Sequence, residues 1–424
     1  MIKIYKRSEI SDENILIRNP QASQITETVS QILNGVHQGG DKTLLYYCEM
    51  LDNIRPEPME LTKKEIKDAI DSIDENVLTA LKRAADRIKK YHSIQQRKSQ
   101  LIAQDEGIIL MQKEMPIEKV GIYIPGGTAS YPSTVLMNVI PAKLAGVNEI
   151  VMVSPPTSKG TISPIIIAAA GIAGVDRIFR IGGAQAIAAL AYGTESIPKV
   201  DKIVGPGNAY VAEAKKQIFG QTGIDMIAGP SEILVIADKT GNPAVIAADM
   251  LAQAEHDKMA TSVLVTDSEE LAVKVQSELE VQVDALPRKE IAAASINDNG
   301  KIIIEKNIDA AIDTANLLAP EHLELFLDMD DPFKYISRVR NAGSVFMGKN
   351  SPEALGDYYA GPNHTLPTGG TARFSSPLSV DDFMKRTSFI YYNSSALAAA
   401  ADDIALLARV EGLEGHARSV LVRK

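Results

Sequence analysis

The sequence predicts an α/β protein with two tandem lobes, each built on a parallel sheet, plus a helical N-terminal region and a C-terminal tail. Three observations lead to this fold class. A chain of 424 residues exceeds the size at which a single core usually stops growing. From about residue 120 onward, short apolar runs alternate with Ala-rich helical stretches, as in βα units. Glycine-rich turns follow several of these runs, as expected where a strand passes into a helix.

The elements fall into four consecutive regions. Residues 1 to 105 are mostly helical, since residues 62–99 carry apolar side chains near helical spacing. Strand-like runs then form two series, at 120–124, 150–153, 177–181, 202–204 and 233–236, and at 262–266, 301–304, 325–327 and 344–347. We place residues 1–20 in an N-terminal arm, 21–119 and 237–378 in a first α/β lobe, 120–236 in a second lobe inserted into it, and 379–424 in a C-terminal tail.

Composition narrows the class of function. The 44 Lys and Arg residues are outnumbered by 54 Asp and Glu residues, for a net charge of −10, which argues against nucleic acid as the main partner. The sequence shows neither a secretory h-region nor an 18-residue apolar span, so we expect a soluble, cytoplasmic protein without a membrane partner. The single cysteine, Cys48, excludes an internal disulfide framework and is expected to be a small buried hydrophobe.

Three glycine loops lie where an open sheet binds ligands, after the carboxyl ends of predicted strands. They occupy residues 124–128, 181–185 and 204–208, and each opens a predicted helix whose N–H groups could hold a phosphate. None matches the G-x-G-x-x-G fingerprint, and no G-x-x-x-x-G-K-[ST] loop is present. Two interpretations of these loops therefore remain open: they are tight βα turns, or they bind the phosphates of a nucleotide.

A candidate metal site comes from side chains far apart in the sequence. Residues 242–257 are predicted to form a helix that places Gln253 and His256 one turn apart on the same face. Asp357 in a Gly/Tyr/Pro loop and His416 near the C-terminus complete a set of nitrogen and oxygen ligands suited to zinc. A lone Gln and His at this spacing would more often be ordinary surface or core residues.

The adjacent pair Glu321 and His322 suggests an acid/base relay, because both groups can transfer protons if they face one pocket. The alternative is a glutamate at a helix start followed by a partly buried histidine. No HExxH motif occurs, which argues against the commonest plan of a zinc hydrolase.

Read together, these segments resemble the histidinol dehydrogenase family, and the resemblance extends over nearly the whole chain. The joint pattern is far more specific than any single motif within it. The matching stretches are YIPGG at 123–127, GGAQA at 182–186, VGPGN at 204–208, AGPSE at 228–232, QAEH at 253–256, APEHLE at 319–324 and GDYYAGPNHT at 356–365.

The resemblance implies a role for each matching residue. It implies a fold of two incomplete Rossmann-like lobes, with NAD bound by the 120–236 lobe, catalytic residues in the other lobe, and a dimerisation tail. Proton transfer is assigned to Glu321 and His322. The implied NAD contacts are Tyr123, Gln185 and Asn208. The implied zinc ligands are Gln253, His256, Asp357 and His416, with His416 delivered from the other subunit of an intertwined homodimer. The implied substrate contacts are Ser231, Gln253, His256, Glu321, His322, Asp357, His364, Glu411 and His416.

The activity implied by the resemblance is the four-electron oxidation of L-histidinol to L-histidine through L-histidinaldehyde, with zinc and two NAD, in the last steps of histidine biosynthesis. Zinc would hold the amino group and imidazole of histidinol while His322 takes the hydroxyl proton. Cys48 matches none of the site motifs, so water activated by Glu321 and His322 is expected to add to the aldehyde. A related dehydrogenase of another small polar alcohol, a zinc hydrolase and a catalytically silent metal-binding module are the alternatives.

Overall fold

The structure is a computed structural model of the chain, and it describes residues 2–16, 23–126, 130–328, 331 and 333–424. Within these ranges, 14 strands form three sheets. In chain order the strands are β1 (Lys3–Lys6), β2 (Gln100–Asp105), β3 (Ile108–Pro116), β4 (Lys119–Tyr123), β5 (Glu149–Val153), β6 (Arg177–Phe179), β7 (Lys202–Val204), β8 (Gly223–Ile224), β9 (Glu232–Ala237), β10 (Thr261–Thr266), β11 (Lys301–Ile304), β12 (His322–Phe326), β13 (Ser344–Met347) and β14 (Met384–Tyr392).

Fifteen α-helices accompany these strands in the described ranges. No helix there is long and apolar enough to cross a membrane. In chain order the helices are α1 (Asp12–Leu16), α2 (Ser23–Asp52), α3 (Lys63–Asp71), α4 (Glu75–Ser93), α5 (Pro132–Ala145), α6 (Pro164–Ala173), α7 (Gly183–Tyr192), α8 (Ala209–Ile218), α9 (Pro243–Ala254), α10 (Glu269–Val283), α11 (Lys289–Asp298), α12 (Ile308–Leu318), α13 (Glu353–Leu355), α14 (Ser394–Val410) and α15 (Glu414–Leu421).

A six-stranded parallel sheet in the order β1-β11-β10-β9-β12-β13 forms the first lobe. Its central strand β9 is apolar along its length after Glu232 because helices cover both faces of the sheet. Ile233 and Val235 pack into the core with α9, α10 and α11, whereas Leu234 and Ile236 pack into the core with α12. The predicted α/β fold with parallel sheets is confirmed.

A five-stranded parallel sheet in the order β6-β5-β4-β7-β8 forms the second lobe. Its two faces bury separate cores: Val151 and Val153 pack with α2, α7 and α8, while Ile150 and Met152 pack with α5 and α6. Helices α3 and α4 lie against α6 and α5. The segment α2, which is two helices joined at a kink at Gly40, therefore covers one face of this sheet.

Two of these contacts differ from the expected division of the chain. Residues 21–119 were expected in the lobe with the catalytic residues, yet α2, α3 and α4 pack on the five-stranded sheet because their apolar faces fit its helices. The strand at 233–236 was grouped with the NAD-binding lobe, yet β9 pairs with β10 and β12 in the other sheet. The division into lobes stays a prediction, and these pairings favour a boundary before β9.

The two ends of the chain extend the lobes. Strand β1, from the expected N-terminal arm, adds to the edge of the six-stranded sheet beside β11. In the tail, β14 pairs antiparallel with β3, and β3 pairs with β2. Helices α14 and α15 follow and pack on each other through a small cluster of Ala405, Ala408 and Ala417. The tail thus begins with a strand and ends with two helices.

Candidate active site

The predicted acid/base pair lies at the amino edge of the six-stranded sheet. His322 begins β12, and Glu321 directly precedes it. The neighbouring strand β9 begins at Glu232, immediately after Ser231, and pairs with β12. Gln253 lies in the last turn of α9, which leads into this same edge through β10. Strand pairing and the α9–β10 connection therefore bring distant segments of the chain together.

A loop after β13 completes the cluster. Glu353 begins the short helix α13, and a π-helical turn at Gly356–Ala360 carries Asp357. The Oδ1 atom of Asp357 lies 3.8 Å from His322 Nε2 and 3.8 Å from His364 Nδ1. A cavity of about 240 Å³ opens here, lined in part by His322, Phe346, Asp357, His364 and Leu366. The cavity places two imidazoles and a carboxylate around a space suited to a small polar ligand.

His322 is buried in a defined orientation. Its Nδ1 lies 3.1 Å from the backbone oxygen of Glu232, which can only accept, so Nδ1 carries the proton and Nε2 is the basic atom. Nε2 is buried and has no hydrogen-bond partner among the described residues. Burial lowers the pKa of His322 to about 4, and neighbouring Asp357 only partly opposes this shift. The ring is therefore a neutral base at physiological pH.

Glu321 is buried beside His322. Its Oε2 accepts a hydrogen bond of 2.9 Å from the backbone N–H of Glu232 and lies 3.7 Å from His322 Nδ1. Burial raises the pKa of Glu321 well above its ordinary value, and the charges of Glu232 and Asp357 raise it further. A carboxylate of this kind is more basic than an ordinary glutamate, as a proton-transfer group requires.

The structure adds Glu353, which sequence reasoning missed. Its side chain is 3% exposed, and its Oε1 lies 3.5 Å from His322 Nδ1. Burial raises the pKa of Glu353 well above its ordinary value, and Asp357 raises it further. The available signal was its spacing: Glu353 and Asp357 are four residues apart, which is one helical turn.

Next to Glu353 lie two further carboxylates, buried Glu324 and partly buried Asp249. The two side chains share a hydrogen bond, and Glu324 Oε1 accepts from the Glu353 backbone N–H at 2.7 Å. Burial raises the pKa of Glu324 to about 8 and that of Asp249 to about 6. These shifts indicate that the pair holds a proton near neutral pH.

The cluster has the chemistry of a possible metal site. One ligand atom from each of His322, Glu353 and Asp357 lies within 4.8 Å of the others. In the described part of the chain, the ion pairs of Glu321, Glu353 and Asp357 all run to histidines. A buried group of several carboxylates is costly unless a cation balances it. Mixed imidazole and carboxylate donors suit a divalent transition metal.

Within one chain, the four predicted metal ligands do not all lie at the same site. Asp357 belongs to the group of ligand atoms, and Gln253 contacts Glu353 beside it. Among the described residues His256, just after α9, lies outside the group, but it adds to burial in lowering the pKa values of His322 and His364. His416 lies in α15 and Glu411 caps α14, and both side chains are exposed. Among the described residues, neither contributes to the cavity lining or to the group of ligand atoms.

The residues predicted to contact NAD lie at the carboxyl edge of the five-stranded sheet. Tyr123 ends β4, and its hydroxyl accepts the Gly183 backbone N–H at 3.1 Å. Gln185 lies in the first turn of α7, and its buried Oε1 has no hydrogen-bond partner among the described residues. Exposed Asn208 caps α8 by accepting from two backbone N–H groups. Of the first glycine loop, residues 127 and 128 lie outside the described residues.

A buried ion pair holds the third glycine loop, at 204–208. Asp225 Oδ2 accepts the Gly205 backbone N–H at 2.8 Å, while Lys215 Nζ donates to the Gly205 carbonyl at 2.9 Å and pairs with Asp225. The side chains of Lys215 and Asp225 are 2% and 0% exposed. Two buried charged side chains, which solvent does not screen, therefore hold the loop backbone by hydrogen bonds to both polar groups of Gly205.

Comparisons with known proteins agree on one family. The family model described as "Histidinol dehydrogenase" matches residues 17–424. The histidinol dehydrogenase of Clostridium acetobutylicum is 52% identical over 401 residues, covering 95% of this chain and 93% of that protein. The Bacillus cereus (strain ATCC 10987) histidinol dehydrogenase is 54% identical over 399 residues, covering 94% of this chain and 92% of that protein.

A solved structure shows the same architecture. The crystal structure of histidinol dehydrogenase from Elizabethkingia anophelis superposes with a TM-score of 0.93 at 38% identity, covering 100% of this chain and 98% of that chain. The resemblance found in the sequence is thus confirmed over the whole length. The chain belongs to the histidinol dehydrogenase family of NAD-dependent oxidoreductases.

Proposed function

We propose that this chain oxidises L-histidinol to L-histidine in two NAD-dependent steps through L-histidinaldehyde, with zinc at the active site. The observation that carries the proposal is the state of His322. Its Nδ1 is tied to the Glu232 carbonyl, and its free, buried Nε2 faces Asp357 in the cavity. A neutral imidazole with one free nitrogen at a substrate-sized cavity is suited to accept a hydroxyl proton.

In the first oxidation, His322 Nε2 accepts the proton of the histidinol hydroxyl while the carbinol hydride passes to NAD. One C–H and one O–H bond break, a C=O bond forms, and NADH and one proton leave. The Glu232 carbonyl stabilises the imidazolium because it still accepts the Nδ1 proton. This hydrogen bond keeps the reacting nitrogen in place throughout the step.

In the second oxidation, water adds to the aldehyde to give a hydrate, which loses a hydride to a second NAD. Glu321 takes a proton from the adding water, a task that its raised pKa favours, and a proton returns to the aldehyde oxygen, so that the addition releases none. His322 then takes a hydroxyl proton from the hydrate as the hydride leaves, and the carboxylic acid formed loses its proton. A thiol route is disfavoured because Cys48 lies in the core with α2 and α7, where burial raises the pKa of its thiol to about 12. The net reaction consumes one water and two NAD, and yields two NADH and three protons.

The donor set fits zinc. Gln253, His256 and Asp357 would hold the ion, with His416 from a second subunit, and the buried carboxylates around them supply the negative charge that favours a cation. When bound, zinc would supply a Lewis acid and a fixed point for the amino and imidazole nitrogens of the substrate. Ser231, His364 and Glu411 would contact the same substrate.

Dinucleotide binding is proposed at the glycine loops of the five-stranded sheet. Tyr123, Gln185 and Asn208 lie at the ends of strands β4, β6 and β7, where open parallel sheets bind ligands. Helices α7 and α8 begin there, and a pyrophosphate would take the place of Tyr123 and Asn208 as acceptors of the backbone N–H groups at the helix starts. The lack of a G-x-G-x-x-G fingerprint means that this binding would use loop backbone in a different arrangement.

We also propose a homodimer in which each tail completes the partner's site. Exposed His416 and Glu411 lie on a tail that carries a large exposed apolar surface, as expected of an interface. The exposed apolar residues are Ile390, Tyr391, Leu406, Leu407, Val410, Leu413 and Val422. A second subunit would cover this surface and bring its own cavity to His416.

Two experiments test these proposals. The variant His322→Asn should lower kcat by about 10²-fold or more, the usual contribution of a general base, with little change in zinc content. Activity of His322→Asn within tenfold of wild type would contradict the assigned role. For the shared site, a His416→Ala chain is mixed with a Gln253→Ala chain; verified heterodimers should regain partial activity, since one of their two sites is intact. No recovery would count against a shared site.

A further inference from the structure

Glu353 occupies a place in the site that the proposed proton transfers and ligand set leave without a role. It is 3% exposed, and its carboxylate points at two functional side chains rather than at a cationic partner. Ionisable side chains are seldom buried this deeply unless they are paired. Two contacts stabilise this carboxylate, one with Gln253 and one with His322.

The first contact is with Gln253. When the Gln253 NH₂ group faces Glu353, it donates to Oε2 at 2.9 Å, and the Gln253 oxygen accepts the Glu232 backbone N–H at 3.1 Å. In the opposite orientation the Gln253 oxygen would face only the acceptor atoms of the carboxylate. Glu353 thus selects the amide orientation, and the oxygen keeps one lone pair for a metal ion.

The second contact is with His322, whose Nδ1 lies 3.5 Å from Glu353 Oε1. This is the nitrogen that donates to the Glu232 carbonyl, so Glu353, ionised when a cation occupies the site, adds negative potential on the same side of the ring. That potential stabilises the imidazolium formed when Nε2 takes a proton. The carboxylate is itself fixed, because the Glu353 backbone N–H donates to Glu324 at 2.7 Å.

We propose that Glu353 is a positioning residue that orients Gln253 toward the metal and holds His322 as the proton acceptor. The inference rests on the proposed zinc-dependent function and deepens it. Groups that orient a metal ligand typically change metal affinity or activity 10- to 100-fold when they are removed. A carboxylate retained only to fill space would affect folding and leave both quantities unchanged.

The test compares Glu353→Gln with wild type and with Glu305→Gln. Glu305 is a matched control: it is 9% exposed, accepts from Thr314 at 2.6 Å, and lies after β11 outside the proposed site. Zinc affinity is measured on metal-free protein by competition with a coloured chelator, a readout independent of turnover. kcat and the KM values for histidinol and NAD are measured on zinc-loaded protein.

We expect Glu353→Gln to bind zinc about 10- to 100-fold more weakly and to lose kcat by about tenfold, with the KM for NAD unchanged. Glu305→Gln should match wild type in all of these. Zinc affinity and kcat of folded Glu353→Gln within about twofold of wild type would overturn the inference. If Glu353→Gln does not fold, Glu353→Asp decides: the shortened carboxylate should weaken zinc binding, and unchanged affinity would overturn the inference. Wild-type protein that bound no zinc would instead refute the proposed function.

Discussion

Replacing Lys215 by methionine should destabilise the lobe of the five-stranded sheet and, at the dinucleotide site proposed there, weaken NAD binding. Methionine keeps most of the side-chain volume but removes the charge, leaving the fully buried Asp225 carboxylate without its cationic partner. It also removes the donor to the Gly205 carbonyl, which holds the loop at 204–208. Because solvent cannot reach either group, the loss of stability comes mainly from the buried Asp225 charge that is left without a partner.

The magnitude follows from the burial of the pair. Removing one partner of a buried ion pair typically costs roughly 3–5 kcal/mol in the free energy of unfolding. At roughly 2–4 °C per kcal/mol, the midpoint of the transition should fall by roughly 6–20 °C. Asp225→Asn combined with Lys215→Met should cost less than the sum of the two single changes. The neutral amide leaves no unpaired buried charge, and its one oxygen can still accept from one of the Gly205 and Met226 backbone N–H groups, which bond to different oxygens of Asp225.

The assay is thermal unfolding followed by far-UV circular dichroism, together with the KM for NAD and the KM for histidinol. The KM for NAD should rise while the KM for histidinol stays near that of wild type, since the pair supports only the dinucleotide loop. The surface pair Lys64 and Asp68 offers a control, because Lys64→Met removes a cation whose side chain is 84% exposed. An unfolding midpoint for Lys215→Met within 2 °C of that of the Lys64→Met control would show that the buried ion pair does not stabilise this lobe.

Two further predictions concern the loop and the buried carboxylates. Gly205→Ala should raise the KM for NAD, because φ at Gly205 is +111° and a Cβ there would clash with the Tyr123 carbonyl. Gly223→Ala is the control, since a Cβ there would make only ordinary van der Waals contacts. Equal KM values for NAD in the two variants would contradict this prediction. In metal-free protein, the unfolding midpoint should fall as pH rises from 6 to 9. The pKa of Glu324 is raised to about 8 in the folded protein, so its contribution to stability is complete below its unfolded pKa and is lost as the pH rises through about 8. Glu324→Gln should therefore flatten the dependence of the midpoint on pH. An unchanged dependence would argue against a proton shared by Glu324 and Asp249.

Local patterns in the sequence predicted most of the strands but could not assign them to sheets. The runs at 120–124, 150–153 and 202–204 appear as β4, β5 and β7. The run at 233–236 has the same apolar character, yet its partners are β10 and β12, which come later in the chain. Apolar content reports burial on both faces of a sheet, whereas the choice of neighbour depends on long-range packing.

The site shows the same limit. Gln253, Glu321, His322 and Asp357 were predicted from motifs and come together in the structure. Glu353 was missed because its only local signal, the four-residue spacing from Asp357, is equally common among surface glutamates; the fold buries it against His322. The exposed position of His416 could not be predicted from the sequence, because the exposure of a side chain depends on tertiary packing.

The most direct test of the central claim is the number of NADH molecules formed per molecule of L-histidinol. Zinc-loaded protein is given limiting L-histidinol and excess NAD, and NADH is followed by absorbance to completion. We expect two NADH per L-histidinol, with L-histidine as the product and the signal abolished by a chelator. A single NADH would mean that the reaction stops at the aldehyde. No NADH formation would contradict the proposed oxidation of L-histidinol.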